Sequence, residues 1–481
     1  MSKNPPAHST SHSEADLLAL LALQQKARTR PDLVGTQNAK ARKAKLDKIA
    51  AFLDKEENVR ALVAALHQDF RKPEVETLSS ELGVVLSQLK YIRKNLGKWM
   101  KPKRLPASMA LFGIKSYLHL EPKGSALIIA PWNYPFNLTI IPLLYAIAAG
   151  CTAIVKPSEM SPATTAFIRA MLDELFDENE IKVVTGEGDT AAFLTTLPFD
   201  HIFFTGSPAV GKKVMAAAAK NLTSVTLELG GKSPAVIDVG VNEKKSAANS
   251  VWGKFFNAGQ TCIAPDYLLV PESMQTSYVS ELKGAIARFY GDDPQQSTSL
   301  ARVITDNHFS RIKRLFDDAV SKGAIVACGG HFDASERYVS PTILTGVTEE
   351  MAVMQEEIFG PLWPVMTYRD LDEAVQIINR QPKALSFYIQ TKNRKTIEKL
   401  KRETSSGGLL VNEYLLGGGA PNVPFGGVNN SGIGKSFGYH GFVEFSNERA
   451  VMERKFFDLS VGYPPYTDGV LKVMRRIYKW L

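Results

Sequence analysis

Cysteine is scarce in this chain of 481 residues: Cys151, Cys262 and Cys328 are the only three. Their number is odd, they lie far apart, and no C-x-x-C or His/Cys cluster accompanies them. Neither a disulfide framework nor a zinc site is indicated, and no metal is expected. A reducing, cytoplasmic compartment fits that usage. No apolar run approaches the length of a membrane-spanning helix, so the chain reads as soluble or at most peripheral to the inner membrane face. The N-terminus, MSKNPPAHSTSHSEADLLALLAL, lacks the positive start and small-residue cleavage site of a secretory signal. Residues 1–40 read as an extension, a disordered polar tail followed by an amphipathic helix.

An acidic balance is also missing. The net charge is +8 and collects in KARKAKLDK (40–48), KYIRKNLGKWMKPKR (90–104) and LKVMRRIYKW (471–480). Such runs are solvated helix faces or, alternatively, contacts for an acidic partner. Nucleic acid is not indicated, because no nucleic-acid-binding motif accompanies the charge. The last run, within a 461–481 tail, sets Val470, Leu471, Val473, Met474, Ile477, Trp480 and Leu481 among Lys and Arg. This is a basic amphipathic helix suited to its own subunit, a partner subunit or an anionic membrane surface.

What is present is enough apolar material, 44% of residues, for two or more domains. Residues 40–100 carry helical periodicity, with Leu46, Ile49, Phe52 and Leu53 followed by Leu62, Leu66 and Phe70. From about residue 115 short apolar segments alternate with helices: YLHLEP, SALIIAP, TAIVKP, IKVVTG, HIFFTG and SVTLEL. The alternation restarts after Gly230 and Gly231 with SPAVIDV, YLLVP, GAIVACG, PTILTGV, PLWPVMTY, SFYIQT and GLLVNE. The expected fold is α/β: a wound domain over 41–230 with bridging strands near 115–130, a second α/β domain over 231–420, and a return segment over 421–460. A cleft should lie between the two domains.

Five stretches carry candidate chemistry. HIFFTGSPAVGKK places Gly206, Ser207 and Gly211 at a strand-to-helix junction, either a phosphate site at a helix N-terminus or an ordinary turn. AIVKPSE places Lys156, Ser158 and Glu159 where they can grip an adenosine ribose or form a charged turn. TLELGG ends an apolar strand with Glu228, which either pairs with a buried cation or acts as a base with a raised pKa. APWNYPFNL puts Asn133 in a rigid loop, as an oxyanion donor or as a helix cap. Cys151 and Cys328 sit in apolar strands and read as packing, whereas Cys262 follows Gly259, Gln260 and Thr261. That polar run can expose a thiolate supported by backbone N–H groups.

Taken together, APWNYPF, VKPSE, FTGS, LELGGKSP, FNAGQTC, EEIFGP and PFGG occur in the order of the aldehyde dehydrogenase superfamily, which the chain resembles from about residue 40 to 460. WGKF, QTCIAPDYLLV, VMQEEIFGP, TSSGG and GYPPY make it most similar to the class-three branch, and within that to coniferyl aldehyde dehydrogenases. The resemblance implies a Rossmann-type NAD(P)-binding domain (41–230), a catalytic domain carrying the cysteine (231–420) and a small bridging β-hairpin. Cys262 would be the nucleophile, Asn133 with the Cys262 N–H the oxyanion site, and Glu228 the base that hydrolyses a thioester. Lys156 and Glu159 would serve the adenosine ribose, Gly206 and Ser207 the pyrophosphate, and Glu357 the nicotinamide ribose with Phe359 packing nearby; Ser158, Gly211, Leu229 and Gly230 would also be cofactor-binding. Trp132, Tyr134 and Phe425 would line an apolar substrate tunnel. Glu159 favours NAD, with NADP also accepted. The implied substrate is a hydrophobic aldehyde, aromatic and coniferyl-like or medium to long aliphatic, and the implied assembly a homodimer. The rival readings are a CoA-acylating enzyme, which the glutamate at 228 opposes, and a non-catalytic membrane-surface protein on the same fold.

Overall fold

The structure is a computed structural model that describes residues 12–27, 38–106, 113–455 and 463–479. The expected tail before residue 12, and Trp480 and Leu481, lie outside the described residues.

Buried, near-continuous apolar segments make central strands of parallel sheets, and the chain builds two such sheets. The first has six strands in the order Gly432–Ile433, Ser224–Glu228, His201–Thr205, Ser125–Ile129, Thr152–Lys156 and Ile181–Val183. All neighbours are parallel except the short Gly432–Ile433. Strand order reverses between Ser125–Ile129 and His201–Thr205, the switch point at which doubly wound sheets open a crevice beyond their C-terminal ends. Asn133, Lys156, Gly206 and Glu228 all follow or end strands on that edge. The second sheet has seven strands, in the order Ile325–Cys328, Thr342–Thr345, Leu362–Tyr368, Tyr267–Pro271, Pro234–Ile237, Ser386–Gln390 and Gly408–Val411. Each corresponds to one of the seven apolar segments read after Gly231.

Two expectations are corrected. The bridging strands do not form a hairpin within 115–130: Ser125–Ile129 is wholly buried in the first sheet. Ile114–Pro122 pairs antiparallel with Ser446–Arg454 over nine residues, and with Lys103–Arg104 on its other side. The half-exposed pattern of Ile114–Pro122 suits such a small sheet, because only one of its faces is covered. The helix Glu14–Ala27 is no loose extension. Leu17 and Leu21 pack with Leu127, Ile154 and Ile202, and Gln24 Nε2 donates to the Ala153 and Glu178 carbonyls at 3.1 and 3.0 Å. Cys328 packs, half-buried, against the core from the edge strand, as read; Cys151 is buried, its thiol donating to Phe445 O at 3.3 Å.

The C-terminal helix Asp468–Tyr478 buries none of its residues. Leu471, Val473 and Ile477 are exposed on one arc, while Lys472, Arg475, Arg476 and Lys479 repeat at helical spacing on the other. Among the described residues, no helix is long and apolar enough to cross a membrane.

Candidate active site

The helix Glu243–Phe255 ends in three consecutive left-handed residues, Asn257 (φ 55°), Ala258 (φ 53°) and Gly259 (φ 73°). Asn tolerates this region, Ala pays strain, and at Gly259 any Cβ would press on the Gly360 carbonyl at 2.5 Å. Strained backbone of this kind is sustained where surrounding contacts over-determine it. Here it turns the chain sharply into Gln260, Thr261 and Cys262.

Gln260 is fully buried and ties that loop down. Its Nε2 donates to the Asn257 and Arg302 carbonyls at 3.1 and 3.0 Å, and its Oε1 accepts from Ile304 N at 3.1 Å. Asn133 Nδ2 donates to the Gln260 carbonyl at 3.1 Å, two residues before the cysteine. The helix Asn137–Ala149 begins after Phe136 with no side-chain cap. Asn133 is therefore directed at the cysteine loop and is not a cap.

Cys262 and Glu228 face one cavity of about 570 Å³. Its walls are apolar, with Val84, Leu138, Ile141, Trp252, Ile263 and Leu415 among them, and Tyr134 and Phe425 also line it. The Tyr134 hydroxyl shares a 2.7 Å hydrogen bond with the Thr261 hydroxyl, and Phe425 stacks on Phe437 at 5.2 Å. Trp132 is placed differently from the expectation. It is outside this lining and packs edge-on against Phe359 at 5.3 Å and His308 at 4.8 Å. Tyr134, two residues on, lines the cavity, whereas Trp132 does not.

Glu228 is buried at the end of Ser224–Glu228, its Oε1 accepting from Ser436 Oγ at 2.9 Å while Oε2 has no protein partner. A hydroxyl rather than a buried cation holds it. Burial pushes its carboxyl up to about 8, against the Ser436 hydrogen bond and the Lys435 charge. Burial likewise pushes the Cys262 thiol well above its ordinary range, and the Glu357 and Glu228 charges add to this; the N–H groups of Cys262 and Ile263 pull the other way. The expected supporting N–H groups are there, but desolvation outweighs them. Ser436, remote in sequence and unremarkable in composition, gave no sequence signal.

The candidate cofactor residues Lys156, Gly206 and Leu229 lie at or just after strand ends of the first sheet. Gly211 lies so close to Leu229 that a Cβ would meet its Cδ2 at 2.7 Å, and Gly206 likewise abuts the Phe204 ring. Ser207 caps the helix Pro208–Ala218, its Oγ accepting from Val210 N at 3.4 Å. The Glu357 carboxylate lies directly against Gly230, where any Cβ would overlap it. Burial, then Asp266, push Glu357 up to about 8. Lys156 Nζ donates to Glu159 Oε2 at 2.5 Å, while Ser158 Oγ is used locally, accepting from Met160 N at 3.2 Å. Phe359 has φ 48°, a left-handed conformation strained for an aromatic residue. A helix N-terminus with side-chain-free approach, a carboxylate beside a lysine and a second carboxylate over a glycine turn fit the phosphates and riboses of a dinucleotide. Among the described residues, no group of three or more His, Cys, Asp or Glu could hold a metal ion.

The aldehyde dehydrogenase family profile matches residues 9–451. The chain belongs to the aldehyde dehydrogenase family. The family match begins within the segment first read as an extension, consistent with the docked helix Glu14–Ala27. The chain is 41% identical to the 4,4'-diaponeurosporen-aldehyde dehydrogenase of Staphylococcus aureus, over 92% of this chain and 96% of that one. It is 42% identical to the rat "Aldehyde dehydrogenase, dimeric NADP-preferring", over 87% and 91%. Among solved structures, substrate-bound Staphylococcus aureus AldH superposes with a TM-score of 0.91 at 39% identity, covering 96% of this chain and 99% of that one. The NAD+ complex of a Bacillus cereus aldehyde dehydrogenase gives 0.84 at 25% identity, covering 92% and 90%. This aldehyde dehydrogenase is an oxidoreductase with a nicotinamide dinucleotide cofactor.

Proposed function

We propose that the enzyme oxidises hydrophobic aldehydes to carboxylic acids, with Cys262 as nucleophile and Glu228 as the base for hydrolysis. The observation that carries this reading is the pairing of Cys262 and Glu228 in one apolar cavity, with Asn133 on the cysteine loop. The thiol gives its proton to water in the cavity and attacks the aldehyde carbonyl as the thiolate, giving a thiohemiacetal oxyanion. This oxyanion takes hydrogen bonds from Asn133 Nδ2 and the Cys262 N–H. The bound dinucleotide supplies the hydride acceptor. Loss of hydride leaves a thioester on Cys262, and Glu228, through its unpartnered Oε2, takes a proton from the water that hydrolyses it.

The apolar walls favour aromatic, coniferyl-like or medium to long aliphatic aldehydes over anionic ones, since no arginine among the described residues lines the cavity. Lys156, Ser158 and Glu159 are assigned to the adenosine ribose, Gly206, Ser207 and Gly211 to the pyrophosphate, and Leu229, Gly230, Glu357 and Phe359 to the nicotinamide end. Glu159 favours NAD, and the adjacent Lys156 leaves room for NADP. The reading keeps a dinucleotide-binding domain over 41–230, a catalytic domain over 231–420 and a return segment over 421–460, and the two separate sheets support it. A homodimer, and contact of the helix Asp468–Tyr478 with anionic lipid, complete the reading; the unpartnered apolar arc and its basic opposite face support the lipid contact.

The test is NAD(P)H formation by wild type and Cys262→Ala with benzaldehyde, coniferyl aldehyde, hexanal and decanal, each with NAD and NADP. The expected outcome is turnover on at least one of these by wild type and none by the variant. Wild-type turnover by Cys262→Ala would overturn the proposal, as would a folded, cofactor-binding wild type inert to every aldehyde.

A further inference from the structure

Beneath the cysteine loop lies a buried charged cluster that the chemistry above does not use. Lys72, Glu76 and Glu81 come from the stretch after Phe70, and Lys72 and Glu81 are wholly inaccessible. Thr77–Leu82 winds as a π-helix, a wide coil frequent at functional sites. Its Glu81 is buried on the inner side, while Ser79 and Ser80 border the cavity.

Each charge in the cluster has a defined partner. Lys72 Nζ donates to Glu81 Oε1 at 3.0 Å and lies 3.8 Å from the centre of the Tyr134 ring, whose hydroxyl meets Thr261. Glu81 Oε2 accepts from Asn137 N at 2.7 Å, fixing the start of the helix after the Asn133 loop. Glu76 Oε2 accepts from Asn257 N at 2.9 Å, the first of the three left-handed residues. Asn257 Nδ2 then donates to the Asn133 carbonyl at 3.0 Å and the Gln260 carbonyl at 3.1 Å. The cluster thus grips both loops that frame the thiol.

Burying three charges is costly, and an apolar core of equal volume holds segments together at least as well. What charges add is directional placement. We propose that Glu76 is a positioning residue: by accepting the Asn257 N–H it fixes the left-handed turn and, through the Asn257 side chain, the setting of Asn133 against the Cys262 loop. The inference rests on the reading of Cys262 and Asn133 given above. A displaced oxyanion donor costs binding in the transition state only, so the effect falls on kcat and not on ground-state affinity.

The experiment compares full-length wild type, Glu76→Ala and Glu76→Gln for kcat and KM with the best aldehyde, and for NADH affinity. Glu76→Ala is expected to lose about tenfold to a hundredfold in kcat, with KM and NADH affinity unchanged. Glu76→Gln, whose amide oxygen still accepts the Asn257 N–H, is expected to recover to within about fivefold of wild type. The proposal is overturned by wild-type kcat in Glu76→Ala, by equal kcat loss in both variants, or by a loss shared with KM and NADH affinity. If Glu76→Ala does not fold, Asn257→Ala replaces it: reduced kcat at unchanged NADH affinity supports the assignment, and wild-type kcat overturns it. Wild type without turnover on any aldehyde contradicts the proposed function itself, whereas an active wild type with an unimpaired Glu76→Ala contradicts only this assignment.

Discussion

At the scale of single residues, the active site is dominated by desolvation. Glu228 and Glu357 are each raised to about 8 beside a thiol that is also raised. Glu228 must lose its proton to act as a base, so turnover limited by thioester hydrolysis should rise with pH through about 8 and flatten above it. Initial rates across that range, with Glu228→Gln as reference, check this; a flat profile contradicts it. The sign for stability is opposite. A carboxyl whose folded pKa is raised from 4.5 to about 8 contributes stability that is fully present below the unfolded value and lost as pH rises through the folded one. Wild type should therefore lose stability relative to Glu228→Gln between those two values, measured by urea midpoints. Asn133→Ala removes one oxyanion donor and should lower kcat about a hundredfold to a thousandfold while the protein stays folded and binds NADH. Cys262, Glu228 and Asn133 came into view through the order of the seven motifs, because each segment alone left an ordinary reading open. Ser436, Lys72 and Glu76 did not, because their roles arise only from contacts made across the fold.

At the scale of elements, Asn133, Lys156, Gly206 and Glu228 gather because the C-terminal ends of the first sheet's strands share one edge. The close approach of Gly211 to Leu229 seats the helix Pro208–Ala218 against that edge. Gly211→Val should push the helix N-terminus away and weaken NAD binding about tenfold or more, read by NADH fluorescence titration; unchanged affinity would argue against this helix as the pyrophosphate site. The parallel strands were legible because buried strands read as short apolar runs. The partner of Ile114–Pro122 was not, since Ser446–Arg454 is distant in sequence and mostly exposed, with no apolar pattern. Nor did Trp132 reveal its orientation, because neighbouring loop residues can point to either side.

At the scale of the whole molecule, sheet edges and one helix remain without a partner among the described residues. Gly408–Val411 closes one side of the seven-stranded sheet with half-buried residues, and the small sheet around Ile114–Pro122 has exposed edges of its own. Such edges are normally covered, and sedimentation should return a dimer; a monomer at micromolar concentration contradicts that. The basic helix Asp468–Tyr478 should carry the enzyme down with phosphatidylglycerol vesicles and not with phosphatidylcholine. A chain ending before Asp468 should stay in the supernatant with full activity, and co-sedimentation of that shortened chain would remove the helix from the account.

The most direct test of the central claim is mass spectrometry of Glu228→Gln quenched after mixing with NAD and decanal or benzaldehyde. With hydrolysis slowed, the account predicts an acyl adduct on the peptide carrying Cys262, of the mass of the aldehyde less one hydride and one proton. An adduct on another residue, or none despite NADH release and slowed turnover, would contradict it.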